Sequence, residues 1–413
     1  MTNIQSIAIR SCACVATMVL AKLLCTEAVH AEVKETLYGK AQGYPFESGW
    51  PMRVNAINRV GASDGRGLVA LYANKPIWMT ASETGEPLLR KIASFGFLHD
   101  PDRLLNRNAI MAMMLIKNGK IVFEKYQYGT DEKSRFDSQS IAKTLTSIAI
   151  GVAVDRGEIR NLDDRMGDLV PGLQKSAIGA ATVRQTLQMQ CGHKFKWIDD
   201  GPDASAGQYA AVRFATPEKG GRDLIEYMQG IEAAPPGKTF AYDPHCSDAL
   251  SMLITQVSGQ PLRQYFEEHI WRKLKPTSSA AWLSPVRNPE LTIGASSFYA
   301  TLADWGLLAQ MVVNGGTLHG STIVSESWIQ KMASDTVAVG KDENENFGRY
   351  GYQTWVRTAE PDSWFAGLGN LGKRFYIDRK NQSAMLVFGL DFDHIKESDQ
   401  FWEWFRTTPA HKL

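Results

Sequence analysis

Cysteine is scarce in this chain and badly placed for a metal centre. Of 413 residues only 5 are cysteine, and Cys12, Cys14 and Cys25 crowd into the first thirty positions. There is no C-x-x-C, and no Cys/His group has the spacing of a zinc site. Net charge is nearly absent too. Lys+Arg 45 against Asp+Glu 44 leaves +1, which removes the electrostatic reason to expect nucleic acid as the main partner. No internal repeat or low-complexity tract occurs. With 44% hydrophobic and 22% charged residues, the composition argues against a disordered, fibrous or polytopic membrane protein. The length suits one large domain or two ordinary ones, enough for a deep core and a cleft.

The N-terminus reads as a targeting segment. Met1–Arg10 carries its charge at the amino group and Arg10, and an apolar run from Cys12 to Ala21 follows. Val29-His30-Ala31 then offers the small-x-small pattern that a signal peptidase reads. The run is too short to span a bilayer, so stable membrane insertion is not expected. Residues 1–31 are therefore read as a signal peptide of a periplasmic or secreted protein. Lys22 interrupts the apolar region, and the alternative is an N-terminal helix packed on a cytoplasmic protein. Leu23-Leu24 stand where a lipoprotein box would need small residues. For Cys191 and Cys246 the default reading is two buried free thiols; one disulfide is the alternative in an oxidising compartment.

Residues 32–104, rich in Gly, Pro and Trp, read as a loop-rich lead-in. Ala112–Ile116, a turn centred on Asn118-Gly119, and Ile121–Tyr126 predict a β-hairpin. Ser140–Arg156 predicts a helix with Ile141, Leu145, Ile148, Ala149 and Val152 on one stripe and Gly157 at its end. Ala300–Val313 and Ser398–Arg406 predict two more, and Arg374–Asp378 with Ser383–Gly389 two strands. The order predicts an α/β domain built from both ends, 105–165 plus 290–413, interrupted by a mostly helical insert at 166–289.

Three short patterns compete for the chemistry. Gly61-Ala62-Ser63-Asp64-Gly65 fits G-x-S-x-G, which needs a buried strand before the serine and a helix after it. Asn58-Arg59 and Gly65-Arg66-Gly67 deny it both, leaving a surface loop. Gly367-Leu368-Gly369-Asn370-Leu371-Gly372 fits the dinucleotide pattern, but a strand follows where the pyrophosphate needs a helix N-terminus. Ser140-Ile141-Ala142-Lys143 is the sole S-x-x-K of the chain. Its serine opens a helix, where free N–H groups and the dipole favour developing negative charge. The lysine lies one turn on along the same face; once desolvated, it can take the serine proton. A serine cap with a solvent-facing lysine fits the local sequence equally well.

The surrounding residues resemble the serine hydrolases related to class C β-lactamases and penicillin-binding proteins, and most of all the branch of 6-aminohexanoate-dimer hydrolase and its esterase relatives. The resemblance rests on Phe136–Lys143, Gly157–Asp164 with Val170–Leu173, Thr182–Leu187 with Cys191-Gly192, Pro235–Tyr242 and Ala300–Asp304, in the family's order across roughly residues 105–395. It implies a β-lactamase/transpeptidase-like α/β fold, an antiparallel sheet flanked by helices. Ser140 would be the nucleophile, Lys143 its activating partner and Tyr242 the second base. The oxyanion would be held by the Ser140 N–H and one from an inner strand, with Gly369 permitting close approach and Asn370 as the expected donor. By the same resemblance, Cys191 and Cys246 could be near neighbours.

Two departures matter. The family's Tyr-x-Asn or Tyr-x-Ser is here Tyr242-Asp243-Pro244, so a contact to the lysine or substrate is missing unless Asp243, His245 or Ser247 supplies it. On that ground the site is expected to favour esters over amides. No cation precedes Gly369 as in Lys-Thr-Gly, which puts β-lactamase activity in doubt; Lys373 or Arg374 could compensate, with strand alternation turning one of them to water. The resulting expectation is a serine hydrolase acting on a small ester or amide without metal or cofactor. A D,D-peptidase, a weak β-lactamase or a non-catalytic penicillin-binding-like module are the alternatives.

Overall fold

The computed structural model describes residues 77–195, 212–213, 217, 221–340, 347–357 and 364–413. The expected signal peptide and the Gly61–Gly65 pattern lie outside them. Nine strands form one sheet: β1 (Leu89–Arg90), β2 (Ile110–Lys117), β3 (Lys120–Tyr126), β4 (Val337–Ala338), β5 (Arg349–Tyr350), β6 (Trp355–Val356), β7 (Phe365–Gly369), β8 (Lys373–Asp378) and β9 (Ser383–Gly389). Their spatial order is β4-β5-β6-β7-β8-β9-β2-β3-β1, antiparallel throughout except where β1 joins β3. Segments far apart in sequence thus meet in one sheet, Ala112 opposite Phe388 and Lys117 opposite Ser383. Every residue of β2 is buried, which explains an apolar run without alternation: both faces are covered. The β2–β3 turn carries Asn118 at φ 49 and Gly119 at φ 75, the pair of left-handed residues that an Asn-Gly hairpin turn requires.

Helices α1 (Ala142–Asp155), α2 (Pro244–Ser258), α3 (Leu302–Val313), α4 (Glu326–Ser334) and α5 (Ile395–Thr407) are the principal ones. Residues 142–153 of α1 are all buried, and Gly151 makes room for the indole of Trp328 on α4: a Cβ there would lie 2.3 Å from a ring atom. The expected helix from Ala300 begins two residues late. Ala300 and Thr301 end a strand, Phe298–Thr301, paired with Arg135–Asp137, and Thr301 caps α3 through its hydroxyl. Thr301 is β-branched and a good N-cap, so strand pairing and capping together outweigh the helical pattern at this point.

Residues 166–289 carry α2 and several shorter helices, together with the strand Ala280–Trp282, which completes a four-stranded sheet with Ile77–Met79, Phe298–Thr301 and Arg135–Asp137. Gly367–Gly372 runs from β7 into a hairpin turn, with Leu371 at φ 59 and Gly372 at φ 72, and no helix follows. The default reading of two free thiols is overturned. Cys191 and Cys246 are joined in a disulfide with Cα atoms 6.1 Å apart, inside the span a bridge needs. No helix of the described residues is long and apolar enough to cross a membrane.

Candidate active site

Ser140 lies in a 3-10 turn, Gln139–Ile141, that leads directly into α1. The turn is held from both sides. Ser138 exchanges hydrogen bonds with Phe298, its N–H donating to the Phe298 carbonyl at 2.8 Å and its hydroxyl accepting the Phe298 N–H at 3.0 Å. Gln139 takes the left-handed φ of 45, and its N–H donates to Asp137 Oδ1 at 3.1 Å. A non-glycine residue in that region stores strain that only a well-fixed environment retains. The half-buried Ser140 hydroxyl stands next to it.

Lys143 is buried under that turn. Its Nζ donates to Ser140 Oγ at 2.9 Å and to the Ala295 carbonyl at 2.9 Å. Burial, with Arg213 nearby, lowers its pKa to about 7, against a smaller upward pull from Asp248 and Asp243. Much of the lysine is therefore neutral at neutral pH, which is the state that accepts a proton. A neutral amine so placed can accept a proton from the serine hydroxyl it touches.

The second contact of Lys143 corrects the sequence reading of the altered Tyr-x-Pro box. None of Asp243, His245 or Ser247 fills the missing place. The Ala295 backbone carbonyl does, and the peptide before it is anchored because the Ala295 N–H donates to Asp248 Oδ1 at 3.1 Å. Thr146 Oγ1 donates to the neighbouring Gly294 carbonyl at 2.8 Å, and Gly294 packs so tightly on α2 that a Cβ would sit 2.3 Å from the Ser247 carbonyl. Ser247 Oγ instead donates to Gln353 Oε1 at 2.5 Å. Pro244 is the first residue of α2, where its lost N–H has no helical partner to give up. Lys143 therefore does not lack a second partner, and the part of the ester argument that rested on a lost contact to the lysine loses its ground.

Tyr242 comes from the segment just before α2. Its ring lies 5.0 Å from Lys143 Nζ, measured to the centroid, and packs on Trp355 and Tyr350 at 5.1 and 6.0 Å. Tyr242, about a hundred residues beyond Lys143 in sequence, is thus brought against the lysine that contacts Ser140. Gly369 borders it as well: a Cβ there would come within 2.6 Å of the Ser138 carbonyl, so β7 can lie against the nucleophile turn only as glycine. Gly367 sits likewise against Thr144 and Ile141. Asn370 is exposed, and its side chain accepts the Leu371 N–H at 3.0 Å. Neither neighbouring cation faces water, contrary to expectation. Lys373 and Arg374 are both buried; Lys373 Nζ donates to the carbonyls of Asn370 and Gly389 at 3.3 and 3.2 Å, and Arg374 to that of Lys373 at 3.0 Å.

Sequence reasoning missed Asp248, Arg213 and the Ala295 carbonyl. Asp248 leaves a trace, a lone acid in the apolar run of α2. The carbonyl leaves none, since any residue supplies one. Also missed is a buried group beside Tyr242. His193 Nδ1 and His245 Nδ1 lie 3.0 and 2.6 Å from Asp243 Oδ2 and Oδ1, and all three side chains are 0–1% exposed. Their atoms are close enough to consider a metal. However, ligand atoms at about 2.0–2.2 Å from a tetrahedral ion would stand about 3.3–3.6 Å apart, and here each carboxylate oxygen has one nitrogen at hydrogen-bond length. Burial pushes the Asp243 carboxyl up, but the two histidines outweigh it and hold it below the usual carboxylate range. Burial lowers His245 despite Asp243. A carboxylate flanked by imidazole N–H donors fits the geometry better than an ion.

A buried lysine on a serine at a helix start, a tyrosine ring beside that lysine and glycines of a strand along the edge thus come together beside the sheet. The chain belongs to the beta-lactamase family, which matches residues 106–392, and is a hydrolase of it. Among curated proteins it is 22% identical over 312 residues to the 6-aminohexanoate-dimer hydrolase of Paenarthrobacter ureafaciens, covering 73% of this chain and 78% of that one. Among solved structures it resembles a putative 6-aminohexanoate-dimer hydrolase from Bacillus anthracis, with a TM-score of 0.71 at 19% identity, covering 81% and 90% of the two chains. It also resembles a family VIII carboxylesterase, with a TM-score of 0.54 at 16% identity over 76% and 99%. At these identities the structural likenesses speak for the fold.

Proposed function

We propose that this chain cleaves a small ester or amide through an acyl-enzyme on Ser140. The observation that carries the reading is the buried Lys143 ammonium site, lowered to about 7, with its nitrogen 2.9 Å from Ser140 Oγ. Neutral Lys143 takes the hydroxyl proton as Oγ bonds to the substrate carbonyl carbon. The oxyanion is received by the Ser140 N–H at the helix start and a β7-end N–H, for which Asn370 is the candidate. Tyr242 passes its phenolic proton to the leaving oxygen or nitrogen and later takes one from the water that attacks the acyl carbon, while Lys143 returns its proton to Ser140 Oγ as the acyl bond breaks. The curated relative named for 6-aminohexanoate dimer and the carboxylesterase neighbour support an amide or ester as the bond cleaved. The inward engagement of Lys373 and Arg374 supports a substrate without the carboxylate of a β-lactam.

The test is intact-mass analysis after incubation with a fluorophosphonate and with p-nitrophenyl acetate, followed by a screen of short-chain esters, linear amides and nitrocefin. A single adduct mapped to Ser140, lost in Ser140→Ala, is expected. An unlabelled protein, or a label that survives Ser140→Ala, overturns the reading.

A further inference from the structure

Two residues after Tyr242 stands Pro244, which offers no side-chain hydrogen bond, and the loop that carries Tyr242 is tied by a disulfide, backbone bonds and a buried carboxylate. We propose that Asp243, bridging His193 and His245, is a positioning residue that fixes Tyr242 against Lys143; this rests on the acyl-enzyme reading above. Asp243 follows Tyr242 directly and is the N-cap of α2. Its Oδ1 accepts the His245 N–H at 2.8 Å as well as the His245 ring, while Oδ2 accepts from His193. One carboxylate thus takes three donors in a site without water access, where charge-assisted hydrogen bonds are strongest. These bonds fix the side chain and Cα of Asp243, the residue next to Tyr242.

His193 ties this peptide to a second segment. The N–H groups of Ala241, Gly237 and Ala234 donate to the carbonyls of Met189, Gln190 and Gly192 at 2.9, 2.9 and 2.7 Å, and Cys191 is bonded to Cys246 one residue beyond His245. Backbone ladder, disulfide and carboxylate bridge therefore brace the same few residues. His245 is further enclosed by the rings of Phe195 and Tyr227 at 5.3 and 5.6 Å. Of these ties, only the carboxylate bridge acts next to Tyr242 itself and carries a charge.

That charge provides a readout which a purely structural part would not move. The groups that face Lys143 are Ser140, the Tyr242 ring, Arg213, Asp248 and Asp243, of which the two carboxylates raise its pKa and Arg213 lowers it. Removing the Asp243 charge leaves the lysine easier to deprotonate. The acid limb of the rate profile then moves to lower pH, while misplacement of Tyr242 lowers kcat.

The experiment compares wild-type full-length chain with Asp243→Asn, His193→Asn and His193→Leu, using p-nitrophenyl acetate and a matched anilide across pH 5–9. His193→Asn keeps an N–H where the imidazole Nδ1–H stood; leucine does not. Asp243→Asn and His193→Leu are expected to lose about tenfold or more in kcat with KM little changed, and His193→Asn to retain most activity. The acid limb should shift downward in Asp243→Asn alone. Wild-type kcat and an unmoved limb in Asp243→Asn would overturn the proposal. So would equal losses in the two His193 variants, which decide the matter if Asp243→Asn does not fold. Stoichiometric metal in wild-type protein, with activity lost on chelation, would also overturn it. Failure of wild type to label at Ser140 would instead sink the acyl-enzyme reading.

Discussion

Replacing Lys143 by methionine should abolish activity and change stability with a sign that depends on pH. The lysine is fully enclosed, and burial brings it from 10.5 to about 7. At about 1.4 kcal/mol per pH unit, holding it charged in the fold costs on the order of 5 kcal/mol below pH 7. Against this stand its hydrogen bonds to Ser140 Oγ and the Ala295 carbonyl, whose loss leaves a buried acceptor unpaired at about 1–3 kcal/mol. Between about pH 7 and 10.5 the unfolded lysine holds a proton that the folded one lacks, so wild-type stability rises with pH across that window. Methionine has no such dependence. Lys143→Met should therefore be more stable than wild type at pH 6, by roughly 2–4 kcal/mol. The advantage should vanish near pH 9 and reverse at pH 10. Scanning calorimetry of both proteins at pH 6, 7.5, 9 and 10 reads the difference directly, since the other groups titrate in both. A Tm difference that is the same at every pH, or a wild type already more stable at pH 6, would refute the burial argument.

Three further outcomes follow from the site. Ser140→Ala and Lys143→Ala should each lose on the order of a thousandfold in kcat/KM and the double variant little more, because the two act as a unit; normal turnover in Ser140→Ala would turn attention to Ser63. Gly369→Ala should keep its fold but lose activity, since the added Cβ meets the Ser138 carbonyl at 2.6 Å and must push β7 from the nucleophile turn; unchanged kcat would show that β7 has no part in the chemistry. Pro244→Asn should leave the acid limb of the pH profile in place and fail to raise amide over ester hydrolysis, because Ala295 already occupies the contact that asparagine would make; a marked gain in amide turnover would contradict that placement.

What was legible in the sequence had local causes. The β2–β3 hairpin follows from Asn118-Gly119 and the apolar run before it, and α1 from its stripe and Gly157. The failure of Gly367–Gly372 as a nucleotide loop follows from the strand pattern after it. Ser140 and Lys143 were readable because one helical turn places them together; Tyr242 joined them only through resemblance, since nothing local aims a ring at a lysine a hundred residues away. Long-range partners that carry no residue signature were hidden. The Ala295 carbonyl is one. The His193–Asp243–His245 bridge is another, split between a loop and a helix start. The Cys191–Cys246 bond could not be inferred from two cysteines alone, because their 55-residue separation says nothing of distance in the fold.

These hidden contacts also change what the departure at Pro244 means. Read from the sequence, proline in place of asparagine or serine removes a partner from a catalytic lysine, and a weakened amide hydrolase follows. In the structure the lysine keeps two partners at 2.9 Å, because the backbone carbonyl of Ala295, a residue whose N–H is held by Asp248, has taken one of the two places. A backbone acceptor cannot be mutated away and carries no proton of its own, so it constrains the lysine without competing for the proton exchanged with Ser140. Proline, freed from that duty, starts α2 at a position that requires no N–H. The residue before it is then free to be an aspartate that turns inward to two histidines. The altered box is thus a redistribution of roles, with the lysine held from the 294–295 loop and the tyrosine held from Asp243.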